Sequence, residues 1–396
     1  MLIQIIIFSI LILCGVWILF YLGIMFTLRT LPKFQEEFKN ISETVSKWPK
    51  LSVIIPACNE EAHIEEALKS VLKQNYPNLE IIAVNDRSQD KTGEILNKLA
   101  KKDNRLKPLH IKELPAGWLG KVHAMHKGVK QAKGKWYLFT DADVHFEPNA
   151  LKKAMLISLK KNVDHLAIVP ETVSEDFFTE LVITAFGFLF LISSRVAFIN
   201  RPASKRPVGV GAFNLVSEKT FKKTPGFKWL KMEPVDDFGL GLMVKNAGGA
   251  TRLLFAEKGV RVSWYANLKE MFKGFEKNLF GMSARYRLPI LFFNVTGIWT
   301  MLSAPPASLA AFFLLGCKPC LLFFLAVLFL HLLMTFFFQK KGANQTLYFL
   351  FAPLGFFIFS LMMLWSGYRC VKNKGVSWRG MHYSIKELRE GQRVKL

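Results

Sequence analysis

Two pairs of carboxylates are the residues of this chain best suited to chemistry. The first pair closes the run Trp136-Tyr137-Leu138-Phe139-Thr140-Asp141-Ala142-Asp143, where a short apolar, aromatic stretch ends in two acids spaced i, i+2. Such a run reads as a buried strand, and ligands of an open α/β sheet sit beyond the carboxyl ends of its strands. There Asp141 and Asp143 can bend toward one hard cation, because Mg²⁺ or Mn²⁺ takes one or two carboxylates together with phosphate oxygens. A metal-diphosphate site is the resulting hypothesis. An Asp pair after a strand also serves simply as a cap for the turn or helix that follows, so the pair alone does not decide. The second pair, Asp236-Asp237 in Glu233-Pro234-Val235-Asp236-Asp237-Phe238-Gly239-Leu240-Gly241, precedes a helical stretch that it would equally well cap. Two further stretches carry candidate residues, one ahead of the first pair and one between the pairs. Leu114-Pro115-Ala116-Gly117-Trp118-Leu119-Gly120-Lys121 has glycines that allow a tight backbone, and Lys121 can set an ammonium near a diphosphate. A solvated lysine on a surface loop is the bland alternative. Val208-Gly209-Val210-Gly211-Ala212-Phe213-Asn214-Leu215-Val216 reads as a strand whose glycines, Gly211 among them, permit close approach of a ligand.

These residues need a scaffold, and the stretch 51–102 supplies its pattern. Leu51-Ser52-Val53-Ile54-Ile55-Pro56 is a buried strand stopped by proline, followed by the turn Ala57-Cys58-Asn59-Glu60-Glu61. Residues 62–75 have helical spacing with apolar Ile64, Ala67, Leu68, Val71 and Leu72. A second strand over 80–84, the polar loop 85–90 and a helix over 91–102 complete a βαβ pattern, which predicts a doubly wound sheet with a nucleotide at its strand ends. No Gly-x-Gly-x-x-Gly follows the first strand, and no Walker glycine-lysine loop is present. Phosphates would therefore be held by a carboxylate-bound cation rather than a glycine cradle.

In order, Val53-Ile54-Ile55-Pro56-Ala57-Cys58-Asn59-Glu60-Glu61, Val84-Asn85-Asp86-Arg87-Ser88-Gln89-Asp90, Gly120-Lys121 and Thr140-Asp141-Ala142-Asp143 resemble the successive signatures of family 2 glycosyltransferases. The resemblance implies the nucleotide-diphospho-sugar transferase (GT-A) fold and inversion at the sugar. It also implies that Pro56, Asn59 and Glu61 line the nucleotide pocket and that Asp86 contacts the base or ribose. Asp141 would face the ribose side and the metal, and Asp143 would coordinate the metal on the diphosphate. The family's acidic pair before a helix is usually Glu-Asp, and its second member is the catalytic base; here Asp236-Asp237 occupies the place and Asp237 takes that role. The Gly-Trp-x-Gly-Lys form resembles the subgroup with hopanoid-associated and carotenoid glycosyltransferases. The Gln-x-x-Arg-Trp motif of processive synthases would fall at Met282-Ser283-Ala284-Arg285-Tyr286, where only the Arg and an aromatic remain. Arg285 and Tyr286, with Asp236 and Gly211, are the acceptor-side candidates.

Composition places this domain at a membrane. Hydrophobic residues make up 51% of the 396, with 36 Phe against 8 Tyr, and they concentrate at the two ends. Residues 2–28 carry no charge and exceed the roughly 20 needed to cross a bilayer. Lacking a basic n-region, this stretch reads as a retained anchor. The formal net charge is +23, but Lys and Arg flank apolar segments, as at Arg29, Lys33, Arg369 and Lys372. That pattern suits an anionic cytoplasmic leaflet and places the soluble part in the cytoplasm; no nucleic-acid motif appears. The five cysteines are scattered and read as small hydrophobes in a reducing compartment, the Cys317-x-x-Cys320 pair included.

The expected organisation is an anchor over 1–28, a linker over 29–49, a cytoplasmic GT-A domain over 50–287, membrane segments over 288–367 and a basic cytoplasmic tail over 368–396. The apolar stretch 177–198 is expected to lie in the membrane interface or against the sheet. Residues 288–316, broken by Pro305-Pro306, are expected to be re-entrant, which keeps the tail in the cytoplasm. The sequence thus predicts a multi-pass cell-membrane enzyme that moves one sugar from a nucleotide donor, a UDP-sugar by preference, to an isoprenoid or glycolipid acceptor with Mg²⁺ or Mn²⁺. A processive polysaccharide synthase and a catalytically silent scaffold of the same fold are the rivals. The altered processivity motif weighs against the first, and the intact Asp86, Asp141, Asp143 and Asp237 against the second.

Overall fold

The computed structural model describes residues 1–39, 41, 45–172, 174–201, 204–339 and 343–394. They form two compact units: a helical unit of Met1–Thr30, Ser174–Ala197 and Tyr265–Val376, and an α/β unit of Leu31–Val173, Phe198–Trp264 and Ser377–Leu396.

In the α/β unit the continuous apolar runs become strands buried on both faces, as expected where helices cover a sheet. In chain order they are β1 (Leu51–Ala57), β2 (Leu79–Asp86), β3 (Leu106–Ile111), β4 (Trp136–Phe139), β5 (Val144–Phe146), β6 (His165–Val169), β7 (Glu171–Thr172), β8 (Asn214–Ser217), β9 (Thr251–Phe255) and β10 (Val260–Val262). The main sheet has the order β3-β2-β1-β4-β8-β6-β9, and β5-β10-β7 form a second, smaller sheet. Strands β3 to β4 are parallel, β8 runs antiparallel to β4 and β6, and β6 is parallel to β9. This is the doubly wound mixed sheet that the sequence predicts. Pro56 does not stop β1; it pairs in register with Val84 of β2, while pairing with β4 ends at Ile54 opposite Phe139. Its missing N–H therefore costs no ladder bond.

The sheet order decides what meets at one edge. Adjacent parallel strands β2, β1 and β4 bring Asp86, Pro56 and the residues after Phe139 to the same carboxyl-terminal edge. Because β8 is reversed, its beginning lies there too, with Asn214 opposite Phe139.

At the other end of β2, Glu80 is buried at 2% exposure. It accepts from the Ser52 hydroxyl at 2.6 Å and the Lys133 N–H at 2.6 Å, and pairs with Lys107 at 2.8 Å and Lys50 at 3.3 Å. Burial alone would raise its pKa, but Lys107, Ser52 and the Lys133 N–H outweigh it and hold the carboxyl at about 2.

Chain ends dock on this unit. Of the linker expected over 29–49, residues 40 and 42–44 lie outside the described residues; the helix Phe34–Lys39 buries Phe34 and pairs Glu37 with Arg252. The stretch read as a basic tail is folded: β11 (Gly375–Trp378) and β12 (Met381–Ser384) form a hairpin, and the helix Ile385–Gly391 starts on a Ser384/Glu387 capping box.

In the helical unit, Leu2–Thr30, Leu288–Leu315, Lys318–Phe337 and Ala352–Lys372 are long and apolar enough to cross a membrane. Two expectations are corrected here. The helix Leu288–Leu315 runs unbroken through Pro305 and Pro306, about 42 Å long at 1.5 Å per residue. Proline frees the carbonyl four residues back, and the indole N–H of Trp17 donates to the carbonyl of Met301, so a neighbouring helix supplies the lost partner. Cys317 and Cys320 are joined as a disulfide. Gly316, at φ 65°, ends one helix and Lys318-Pro319 starts the next, a turn that brings the two Cα atoms within 5.3 Å. The helix Phe177–Ser193 packs along Ala352–Lys372, where Gly355 lets the backbones meet: a Cβ there would fall 2.2 Å from the carbonyl oxygen of Leu181.

Replacing Glu80 by Ala leaves the Ser52 hydroxyl and two lysines without their shared acceptor. Since both lysines are partly exposed, the cost is expected at about 2–3 kcal/mol, a drop of several degrees in melting temperature of the solubilised chain. Because the folded pKa of Glu80 lies below the unfolded value, its contribution is present above pH 4.5 and lost as pH falls toward 2. Thermal melts across that range should show the wild type converging on Glu80→Ala at low pH.

Candidate active site

The site is built around one ammonium. Lys121 is the second residue of the helix Gly120–Gln131, which packs on β1 and β2. Its Nζ lies 2.7 Å from Asp141 Oδ1 and 3.5 Å from Asp236 Oδ2. Burial acts against its charge, but Asp141, Asp236 and Asp237 together raise its pKa and keep it protonated. One lysine thus joins the two acidic clusters that the sequence keeps almost a hundred residues apart.

A small cavity, partly open to solvent, is lined by Pro56, Lys121, Asp141, Gly211, Asp236 and Asp237 among others. Asp236 and Asp237 begin the helix Asp236–Asn246. Asp237 Oδ2 accepts from the Gly211 N–H at 3.0 Å and Oδ1 from the Phe238 N–H at 2.8 Å, while the Asn214 side-chain amide donates to the Asp237 carbonyl at 3.2 Å. The two glycines ahead of β8 make room for the chain's own acids. A Cβ at Gly209 would fall 1.7 Å from the Asp237 carbonyl oxygen, and one at Gly211 would fall 2.7 Å from Asp141 Oδ2. Gly211, read from sequence as a place for a ligand's approach, is here the wall between Asp141 and Asp237.

The charges of this pocket are unbalanced toward the negative. Burial, and then the neighbouring Asp236 carboxylate, push Asp237 up to about 7 against the pull of Lys121. Burial also raises Asp236, with Lys121 opposing. Asp143 is pushed up to about 6 by burial, then by Asp141 and Glu60. An acid poised near 7 is what a general base at neutral pH requires.

A divalent cation fits the residues present. Glu60 and Asp141 crowd Asp143 with negative charge, and carboxylate oxygens are the donors that Mg²⁺ and Mn²⁺ prefer. Among the described residues no group of three or more His, Cys, Asp or Glu side chains closes around one point. A cation at Asp141 and Asp143 would thus complete its shell with waters and phosphate oxygens, the usual habit of Mg²⁺.

The other expected site residues divide. Asp86 is buried at the end of β2 and paired bidentately with Arg87, at 2.9 and 3.0 Å. Asn59 and Glu61 are exposed and knit the loop after β1 to the loop after β2: Asn59 Oδ1 accepts from the Gln89 N–H and Glu61 Oε2 from the Lys91 N–H. Neither lines the cavity. Arg285 and Tyr286 belong to the helical unit, where Tyr286 is buried with its ring edge-on to Phe280. Sequence reading missed Glu233, which is fully buried and accepts from the N–H groups of Val235, Arg393 and Val394. It fixes the loop just ahead of Asp236. Its only signal was an acid beside Pro234.

With this geometry in place, comparison with known proteins is informative. Residues 52–223 match the model of "Glycosyl transferase family 2". Over these residues the chain is similar to that family. Among curated relatives, "Probable glycosyltransferase YdaM" of Bacillus subtilis is 39% identical over 117 residues, 29% of this chain and 26% of that protein. The "GalNAc(5)-diNAcBac-PP-undecaprenol beta-1,3-glucosyltransferase" of Campylobacter jejuni is 36% identical over 107 residues, 27% of this chain and 34% of that protein. The chain spans well under two thirds of these relatives. Among solved structures, the mannosyltransferase PcManGT of Pyrobaculum calidifontis, in complex with GDP-Man and Mn²⁺, superposes with a TM-score of 0.56 at 16% identity. The match covers 90% of this chain and 99% of that one. This likeness bears out the GT-A fold.

If Asp237 works as a base, it does so only when deprotonated. Turnover should rise with pH through about 7 and level off above it. Asp236→Asn removes the like charge, so the acid limb of the pH-rate profile should move to lower pH. An unchanged limb would mean that another group controls it.

Proposed function

We propose that this protein is a membrane-integral, inverting glycosyltransferase that moves one sugar from a nucleotide-diphospho-sugar to a lipid-type acceptor with the help of a divalent cation. The observation that carries the proposal is the shared cavity wall of Asp141, Lys121, Asp236 and Asp237. Pro56 and Asp86 sit on the neighbouring strand ends, where a nucleotide would lie in a sheet of this kind. Lys121 faces the cavity from a helix N-terminus, suited to a diphosphate. Asp237 is held by the Gly211 and Phe238 N–H groups in one orientation. From there it takes the proton of an acceptor hydroxyl as that oxygen attacks the anomeric carbon and the bond to the diphosphate breaks. Asp141 and Asp143 would hold Mg²⁺ or Mn²⁺, which when bound offsets charge on the departing diphosphate. Lys121 is placed to offset the remainder.

A nucleotide-sugar donor is supported by the structural neighbour that binds GDP-Man, and a lipid-linked acceptor by the relative whose name carries undecaprenol. The nucleotide is left to experiment, UDP being the sequence-based expectation. Four long apolar helices support a multi-pass location, and the basic residues after the first helix favour a cytoplasmic α/β unit. Residues Ser377–Leu396 belong to the α/β unit, so an even number of crossings is expected between 264 and 377. With Leu288–Leu315 unbroken, Ala352–Lys372 is the helix assigned to return without crossing; it is half buried and follows a break at Phe351.

Incubating membranes that contain the protein with labelled nucleotide sugars should put label into the organic phase, and a chelator should abolish it. Label confined to an insoluble polymer would favour a processive synthase, and no label with any donor a silent scaffold. Asp237→Asn should cut transfer by about 10²–10⁴-fold while donor affinity stays within about threefold. Asp143→Asn should instead weaken metal-dependent donor binding by about tenfold or more. Full transfer by Asp237→Asn would remove the base from this scheme.

A further inference from the structure

The folded C-terminal stretch touches all three loops that build the site. Arg379 pairs through Nη2 with Glu60 and donates from Nη1 to the Asn59 carbonyl at 3.3 Å, both in the loop after β1. Buried Tyr383 lies close enough to the Gly120 N–H, at the start of the helix that carries Lys121, and to Asp86 and Arg87 to feel them electrostatically. That helix has no side-chain cap of its own. The Arg393 and Val394 N–H groups close on Glu233, ahead of Asp236 and Asp237. The contact at Arg379 stands apart from the other two. Its partner Glu60 lies close enough to Asp141 and Asp143 to act on both electrostatically, so its guanidinium stands one carboxylate away from the expected metal ligands.

The backbone at this position is one that arginine does not favour. Arg379 and Gly380 are the two-residue loop between β11 and β12, both at positive φ, 50° and 77°. That is a type I′ turn, whose first position favours Asn, Asp or Gly. Arginine adopts it at a cost.

We infer that Arg379 is a donor-binding residue, which waits on Glu60 and turns its paired N–H donors to the phosphate oxygens when a nucleoside diphosphate arrives. Guanidinium suits this exchange, because its planar fork meets a phosphate in two parallel bonds as well as it meets a carboxylate. Glu60 serves as the placeholder anion. The inference rests on the donor site proposed above and adds to it a cation from the far end of the chain.

The turn itself provides the test. Arg379→Asn removes the guanidinium yet installs the residue that a type I′ turn prefers, so the melting temperature should not fall. Titrating the full-length detergent-solubilised chain with UDP and with GDP in Mn²⁺ should show the preferred nucleotide bound about tenfold or more weakly by Arg379→Asn. Uridine or guanosine, measured by competition, should bind within about twofold of wild type. Arg379→Lys should fall between, and Glu60→Gln, which frees the guanidinium, should bind the diphosphate at least as tightly as wild type. Undiminished diphosphate binding by Arg379→Asn, an equal loss for nucleoside and diphosphate, or a loss in Glu60→Gln as large as in Arg379→Asn would overturn the inference. A wild type that binds neither nucleotide would instead overturn the donor site, and this residue's role with it.

Discussion

The arrangement depends on the sharing of one ammonium. Lys121 is within salt-bridge distance of Asp141, from the first half of the chain, and of Asp236, from the second. Without a cation between them, those two carboxylates and Asp237 would repel one another in a partly desolvated pocket, where such repulsion is strongest. The lysine makes the convergence tolerable and leaves it incomplete. Burial and like charge still raise Asp237 and Asp143, so the pocket has room for further positive charge and a proton acceptor near neutrality. A site with this imbalance favours a ligand that arrives with a dication.

The reversed strand turns this electrostatic arrangement into geometry. Had β8 run parallel to β4, the turn before it would lie at the opposite edge of the sheet. Running antiparallel, it delivers Gly209 and Gly211 to the edge where β1, β2 and β4 end. Those two positions have no side chain, so the helix that begins at Asp236 can settle against the strand edge. The Gly211 N–H then orients Asp237 across from Asp141. The proposed base and an expected metal ligand thus face one cavity with a glycine between them.

Much of this was legible in the sequence. Continuous apolar runs placed β1 and β2, period-3.6 spacing placed their helices, and the acids at strand ends marked the edge of the sheet. The lysine after Gly120 was singled out for its charge, but its second partner, Asp236, depends on a long-range convergence that no local pattern encodes. Asn59 and Glu61 show the opposite limit: their motif was plain, yet their side chains tie one loop to another. Pro305-Pro306 misled because the loss of a helical hydrogen bond is local, whereas its replacement by Trp17 is tertiary. The tail was read by its charge alone, although Ser384 and Glu387 carry a capping box and Arg379-Gly380 a hairpin turn. Composition concealed a fold that spacing would have revealed.

The most direct test is a structure of the full chain with Mn²⁺ and a nucleoside diphosphate, with the metal located by its anomalous signal. The account predicts Mn²⁺ between the diphosphate and Asp141 or Asp143, Lys121 Nζ turned to a phosphate oxygen, and the Asp237 carboxylate open to the same cavity. A metal bound away from both aspartates, or an Asp237 walled off from the nucleotide, would contradict it.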